Sequence, residues 1–458
     1  MKKKRVSIWL MALVVILVLS LLPADASVAA AELPNPDCTA AVLMDAGSGK
    51  VLYEKNAEAH TQPASVTKLM TALLVVEHLD LDKEVKVPAA AAGILGNNIG
   101  LKTGERLTVR QLLNAMLIVS ANDAAVALAI ETGGSLSHFY QMMNAKAKAL
   151  GMKNTHYKSP NGLIESNNHY MSAEDTAILT RVFLRNPTLA AIVKKVHYEI
   201  PATNKSKARK MKSTNNMLFD SKSKIHADGK LIHPRYAGTI GVKTGTMNAS
   251  GYCFSAAVKR GSTTLIAVVM HANGVDGSLS RFSAVIPMFD YGFENFRDVS
   301  LVAAGAAVGH VKVRYGHHTF VKAVAAEGAS TTLPKEADED IASYKVVLDK
   351  DIKAPLAAGD KVGVVNVYES GEKTASFDVT VTQAVTRGGP WSALYISDMG
   401  FFVICLAAAV ILLLLAVRSA RRKRKRREHE ARMRRAREAQ AQSIAARRAE
   451  KRKRGWPF

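Results

Sequence analysis

Residues 399–417 run for 19 positions without a charge, and basic residues follow at once at 418 and 421–427. As a helix at about 1.5 Å per residue, this run spans roughly 28 Å, close to the roughly 30 Å hydrocarbon layer of a bilayer. No other stretch constrains the fold as much, because the folded part of the chain has to precede it. Trp391, Tyr395, Phe401 and Phe402 cluster at its start, where interfacial aromatics sit. The basic flank marks the far end as cytoplasmic by the positive-inside rule. At the other terminus, Lys2, Lys3, Lys4 and Arg5 precede an apolar run from Ser7 to Leu22 and small residues at 26–31. That order reads as a secretory signal over residues 1–31. The expectation is a single-pass plasma-membrane protein: a folded part outside, a spanning segment at 395–417, and a cytoplasmic tail at 418–458.

The charge follows the same division. The chain carries a formal +23, and residues 418–458 hold 18 Lys/Arg against 4 Asp/Glu. Residues 1–31 add +3, leaving +6 for the remainder. A whole chain built to bind nucleic acid is therefore poorly supported, and the tail is expected as a solvated helix or coil near anionic lipid. The three cysteines, Cys38, Cys253 and Cys405, form no disulfide framework and no metal cluster. Cys38 and Cys253 lie in apolar, strand-like runs and are expected as buried free thiols; a pairing between them is the alternative.

Apolar runs at 40–44 and 51–53 flank a turn at Asp45-Ala46-Gly47-Ser48-Gly49, which predicts a hairpin. Residues 64–220 then read as mostly helical. Thr108 is the predicted N-cap of an amphipathic run that breaks at Ser120-Ala121-Asn122-Asp123. Small residues at 124–130 suit a closely packed helix, and further helices are predicted at 135–150 and 172–185. Ser159-Pro160-Asn161-Gly162 is a turn between them. Residues 194–243 hold 12 Lys/Arg and 3 Asp/Glu. They read as an exposed, mobile loop, or as a basic rim beside the next strand. Strands are predicted at 238–246, 252–258 and 264–271, then a helix at 279–293. Alternating runs over 301–385 predict a small all-β domain with no cluster of titratable groups resembling a site.

Chemistry enters at Ser65-Val66-Thr67-Lys68. Pro63 stands where a helix starts, and Leu69, Leu73, Leu74 and Val76 follow at helical spacing. Ser65 and Lys68, at i and i+3, share a face. A hydroxyl needs a base to become a nucleophile, and a lysine buried near another cation loses its proton readily enough to be one. N–H groups at a helix start can hold a developing oxyanion. A second Ser-x-x-Lys at 221–224 lies in a polar, lysine-rich run and reads as a solvated loop. Acyl transfer also needs a proton path and an anion site. Ser120 and Asn122 supply a hydroxyl and an amide at a helix break. Lys243 and Thr244 suit a carboxylate, while Gly245 permits close backbone approach at a strand edge that can pair with an extended peptide. Ser166-Asn167-Asn168, Ser213-Thr214-Asn215 and Lys102-Thr103-Gly104 match the same triplets but lack the order of nucleophile on a helix, helix break, strand.

With these residues in that order, the chain resembles the serine-type D-alanyl-D-alanine carboxypeptidases, the low-molecular-mass penicillin-binding proteins of the β-lactamase-like superfamily. The likeness covers about residues 36–385. It includes Asn154-Thr155-His156-Tyr157, Asn161-Gly162-Leu163 and Ser250-Gly251-Tyr252. The resemblance implies an α+β fold: a β-lactamase/transpeptidase-like domain (32–298) with a five-stranded antiparallel sheet and a helical insertion, then a small β-rich domain (299–388). It implies that Ser65 is acylated with Lys68 as its base, and that Ser120 relays a proton to the leaving D-alanine. Asn122 would bind the peptide, and Lys243 and Thr244 the terminal carboxylate. The N–H groups of Ser65 and Thr246 would form the oxyanion hole. Arg281 falls where the family keeps an arginine near the substrate carboxylate; otherwise it reads as a surface arginine.

The implied substrate is the peptidoglycan stem peptide ending in D-Ala-D-Ala, with β-lactams as inhibitors and neither cofactor nor metal. Two departures stand out. Asn161 replaces a common histidine, and a spanning helix with a basic tail replaces the family's usual terminal amphipathic helix. A β-lactamase would need a deacylating glutamate, and Glu165-Ser166-Asn167-Asn168 lacks the expected ending. A cross-link endopeptidase and an inactive wall-binding scaffold are the other rivals.

Overall fold

The computed structural model describes residues 33–163, 167–453 and 455. The predicted signal and Glu165 lie outside them. Two compact units divide the chain. The first holds the described residues up to Leu301 with Ser330–Ser343 and Val367–Ala375, and the second holds Val302–Ala329, Tyr344–Asn366 and the rest from Ser376.

The first unit is organised by β1 (Cys38–Asp45), which is almost entirely buried. Its apolar residues alternate between two cores, as a period of two requires. Ala40, Val42 and Met44 enter one core, and Ala41 and Leu43 the other. Both faces are covered, so the strand reads as a continuous apolar run. It pairs antiparallel with β2 (Val51–Lys55) and β5 (Thr263–Ala272); β4 (Gly251–Arg260) and β3 (Thr239–Met247) complete a five-stranded sheet in the order β2-β1-β5-β4-β3.

Between β2 and β3 lies the helical insertion. A 3₁₀ turn (Ala64–Thr67) leads into α1 (Lys68–His78). Then come α2 (Val109–Ile118), α3 (Asn122–Gly133), α4 (Leu136–Ala149), α5 (Ala173–Arg185) and α6 (Pro187–Val193). Thr108 caps α2 in a reciprocal box: its hydroxyl accepts from Gln111 N–H at 3.2 Å, and Gln111 Oε1 accepts from Thr108 N–H at 2.9 Å. Such a cap contributes about 1 kcal/mol. In α3, Ala124, Ala125, Ala127 and Ala129 are fully buried, so small side chains let neighbouring helices close on it. Helix α7 (Ser280–Asn295) covers the other face of the sheet through Phe282, Val285 and Phe289. Cys38 and Cys253 are buried free thiols.

The basic segment differs from the expected mobile loop. It folds into two short antiparallel hairpins, His197–Ile200 with Arg209–Lys212 and Ile225–Ala227 with Lys230–Ile232. Their strands have only three or four residues, too short for a period of two to stand out in a lysine-rich segment.

Further on, a six-stranded sheet is built from Ala307–Arg314, Phe320–Ala325, Ala342–Leu348, Ile352–Lys353, Lys361–Glu369 and Glu372–Val381. Helix α8 (Asp398–Lys453) then runs unbroken for 56 residues. It is the one helix among the described residues long and apolar enough to cross a membrane. The basic segment continues it as helix as far as Lys453.

Candidate active site

Ser65 sits inside the 3₁₀ turn and Lys68 opens α1. Side chains at i and i+3 eclipse in a 3₁₀ turn, which brings the pair into line. Lys68 is fully buried, with its Nζ 2.7 Å from Ser65 Oγ, 2.8 Å from Asn122 Oδ1 and 2.9 Å from the Asn161 carbonyl. Burial, and next the nearby Lys243 cation, hold its pKa well below the ordinary lysine value, against a smaller opposing pull from Asp123.

Two loops hold that arrangement. The 159–163 loop lies against the Ser65 turn, where Gly162 has φ +78°, and a Cβ there would stand 1.8 Å from the Ala64 carbonyl oxygen. Asn161 Oδ1 accepts from Ser159 Oγ at 2.8 Å and Leu163 N–H at 2.9 Å, which leaves the Asn161 carbonyl aimed at Lys68. Gly162→Ala is expected to cost about 2 kcal/mol or more, since both the left-handed backbone and the clash oppose it. Thermal unfolding and fluorescent-penicillin labelling should fall together. His169, invisible to sequence reasoning, braces the same turn. Its Nδ1 accepts from Lys158 N–H at 3.0 Å, so Nε2 carries the proton toward Thr67 Oγ1, also at 3.0 Å. Burial lowers its pKa to about 4.

The second loop covers 95–101. Asn122 N–H donates to the Asn97 carbonyl at 2.7 Å, and Asn122 Nδ2 to the Leu95 carbonyl at 2.9 Å. The buried Asp123 carboxylate accepts from the N–H groups of Ile99, Leu101 and Ala124. Ser120, in the break between α2 and α3, adopts φ +63°. A non-glycine residue there is strained, and it faces the same cleft.

Strand β3 forms the third side. Lys243 lies on this strand and is buried, its Nζ donating to the Thr244 carbonyl at 2.9 Å. Burial first, and then Arg281, lowers its pKa to about 7. Gly245 has a structural reason the sequence did not reveal: a Cβ would lie 2.8 Å from the Pro63 carbonyl oxygen, so glycine lets β3 close on the Ser65 turn. Arg281 is 5% exposed, which removes the surface-arginine reading. It donates to the Gly245 carbonyl at 3.0 Å and to Thr246 Oγ1 at 2.7 Å, and burial lowers its pKa to about 10.

Ser65, Ser120, Asn122, Thr244, Thr246 and Arg281 line one cleft of about 400 Å³, with Lys68 and Lys243 buried behind it. Thr214, set aside on sequence grounds, lines it too, 2.7 Å from Thr244 Oγ1 through its own hydroxyl. Its N–H donates to the carbonyl of Ile118 at the end of α2, a long-range contact no local motif announces. The second Ser-x-x-Lys, at 221–224, is mostly exposed.

A family profile described as D-alanyl-D-alanine carboxypeptidase matches residues 27–274, and one described as penicillin-binding protein 5, C-terminal domain, matches residues 296–387. The D-alanyl-D-alanine carboxypeptidase DacF of Bacillus subtilis is 32% identical over 358 residues, which are 77% of this chain and 87% of that protein. Among solved structures, penicillin-binding protein 5 from Haemophilus influenzae is 27% identical with a TM-score of 0.58, over 78% of this chain and 99% of that one. A peptidoglycan synthesis regulatory factor (PBP3) from Streptococcus pneumoniae is likewise 27% identical with a TM-score of 0.58, over 77% and 100%. A profile over more than half of the chain, and a relative matched across most of both proteins, establish that this chain belongs to the D-alanyl-D-alanine carboxypeptidase family of serine peptidases.

Proposed function

We propose that this chain removes the terminal D-alanine from peptidoglycan stem peptides ending in D-Ala-D-Ala, through an acyl-enzyme on Ser65. The observation that carries this reading is the set of three contacts around Lys68. A neutral amine has two N–H donors and one lone pair. Asn122 Oδ1 and the Asn161 carbonyl are acceptors, and the Ser65 hydroxyl is the one neighbour with a proton to give. The low pKa of Lys68 supports the neutral form.

Ser65 Oγ attacks the carbonyl carbon of the penultimate D-alanine as its proton passes to Lys68 Nζ. The N–H groups of Ser65 and Thr246 receive the oxyanion. The C–N bond then breaks, and the proton returns through Ser120 Oγ to the departing amine. Water hydrolyses the ester with Lys68 again as base. Lys243, Thr244 and Arg281 hold the terminal carboxylate, and Asn122 offers its second Nδ2 proton to a peptide carbonyl. β-Lactams acylate Ser65 by the same first step.

The full chain in detergent, given a diacyl-L-Lys-D-Ala-D-Ala peptide, should release one D-alanine per peptide. Penicillin labelling without release would favour an endopeptidase, and the absence of both signals would contradict the reading. Lys243 supplies a second prediction. A bound carboxylate raises its proton affinity from about 7, so its protonated fraction rises on binding. Peptide binding to the Ser65→Ala variant near neutral pH should take up a fraction of a proton, and none at markedly lower pH, where Lys243 is already charged. Calorimetry in buffers of different ionisation enthalpy measures this.

The topology reading follows from charge. The apolar part of α8 spans the plasma membrane, and the arginines from Arg418 onward remain in the cytoplasm. The catalytic unit is then extracytoplasmic, where its substrate is.

A further inference from the structure

The segment between the last β-strand and α8 is fastened to the second unit rather than left as a tether. Gly388 N–H donates to the Tyr315 carbonyl at 2.9 Å, and Tyr315 N–H to the Ser392 carbonyl at 3.2 Å. Ser392 is fully buried. Asp398, the first residue of α8, accepts from Gly389 N–H at 3.0 Å and lies 2.9 Å from His317 Nδ1. Trp391 stacks on Phe401, in the first turns of α8, with ring centroids 4.4 Å apart and planes 15° from parallel. The 315–318 turn and the 3₁₀ helix Pro390–Leu394 are therefore held at the level where α8 becomes apolar.

These fastened elements still present large apolar groups to solvent. Leu394 is 68% exposed, Trp391 43% and Tyr315 40%, with the exposed Arg387 two residues before Gly389. A polar linker has no reason to display them, whereas aromatic rings and leucines beside a basic residue suit the boundary of headgroups and acyl chains.

We propose that Tyr315, Trp391 and Leu394 form a lipid-contacting foot, seating the second unit on the outer membrane–water interface around the start of α8. This rests on the reading that α8 spans the membrane. The occupant is lipid, because the patch is continuous through the Trp391–Phe401 stack with the apolar helix.

The test uses the full chain in phosphatidylcholine–phosphatidylglycerol vesicles, with Trp391 as sole tryptophan (Trp9→Phe, Trp456→Phe). A companion protein replaces Trp391 with Phe, keeping the aromatic stack, and carries Leu406→Trp as a marker of insertion. Trp391 should emit to the blue of its emission in water and lose intensity to lipids brominated near the carbonyl region. It should lose less to lipids brominated deep in the chains and little to aqueous iodide. The marker should be quenched most by deep bromines. A quenched marker with an iodide-sensitive, bromine-insensitive Trp391 overturns the foot and leaves the anchor standing. Loss of bromine quenching at both positions overturns both.

Discussion

Replacing Ser65 with alanine should lower D-alanine release by on the order of 10⁵-fold or more, because among the described residues Ser65 carries the hydroxyl held against Lys68 Nζ. Penicillin labelling should vanish with it. The substitution removes one partner of Lys68 while leaving the Asn122 and Asn161 contacts, so the fold and peptide binding should survive. Thermal unfolding near the parent value, with unchanged peptide affinity, separates loss of chemistry from loss of structure. Ser120 lines the same cleft, but Lys68 Nζ has its contact at Ser65, 2.7 Å away. Substantial turnover without Ser65 would show that the nucleophile is misassigned.

Lys68→Ala should cost about 10²- to 10⁴-fold in acylation, the usual worth of a placed general base. It also strips a partner from two buried acceptors, Asn122 Oδ1 and the Asn161 carbonyl, each costing about 1–3 kcal/mol if left unpaired. Lys68→Arg is the sharper variant: it keeps N–H donors for the two acceptors but stays protonated and so cannot serve as base, and should be inactive while still satisfying the acceptors. In the parent, protonation of Lys68 removes the base, so acylation falls as pH falls through its pKa. Burial and the Lys243 charge push that pKa down, so the enzyme works well below the pH at which an ordinary lysine would be neutral. Removing the Lys243 charge should move the acid limb upward. A limb unmoved by Lys243→Ala would break the electrostatic link between the two lysines.

Much of this site could be read from the chain because its key residues are local signals. Ser65 and Lys68 sit one turn apart, Ser120 and Asn122 mark a break between two apolar helices, and Lys243 lies on a strand with Thr244 and Gly245 directly after it. The five strands of the catalytic sheet were legible because β1, β4 and β5 are buried on both faces and read as apolar runs. What stayed hidden depends on contacts far apart in sequence. Thr214 is held at the cleft by Ile118 and Thr244, His169 braces the Ser65 turn from about a hundred residues away, and Asn161 contributes a backbone carbonyl that no side-chain motif encodes. Gly245 was legible as a close-approach residue, but the partner it makes room for is Pro63. Nor does a sequence show that Ser120 takes a left-handed backbone, or that Arg281 turns inward onto Thr246.

The most direct measurement is the mass of the protein quenched during turnover of a diacyl-L-Lys-D-Ala-D-Ala peptide, with the adduct located by digestion. The account predicts a protein heavier by the peptide less its terminal D-alanine, with the added mass on the segment containing Ser65. An adduct on any other residue, or D-alanine release that persists undiminished in Ser65→Ala, would contradict it.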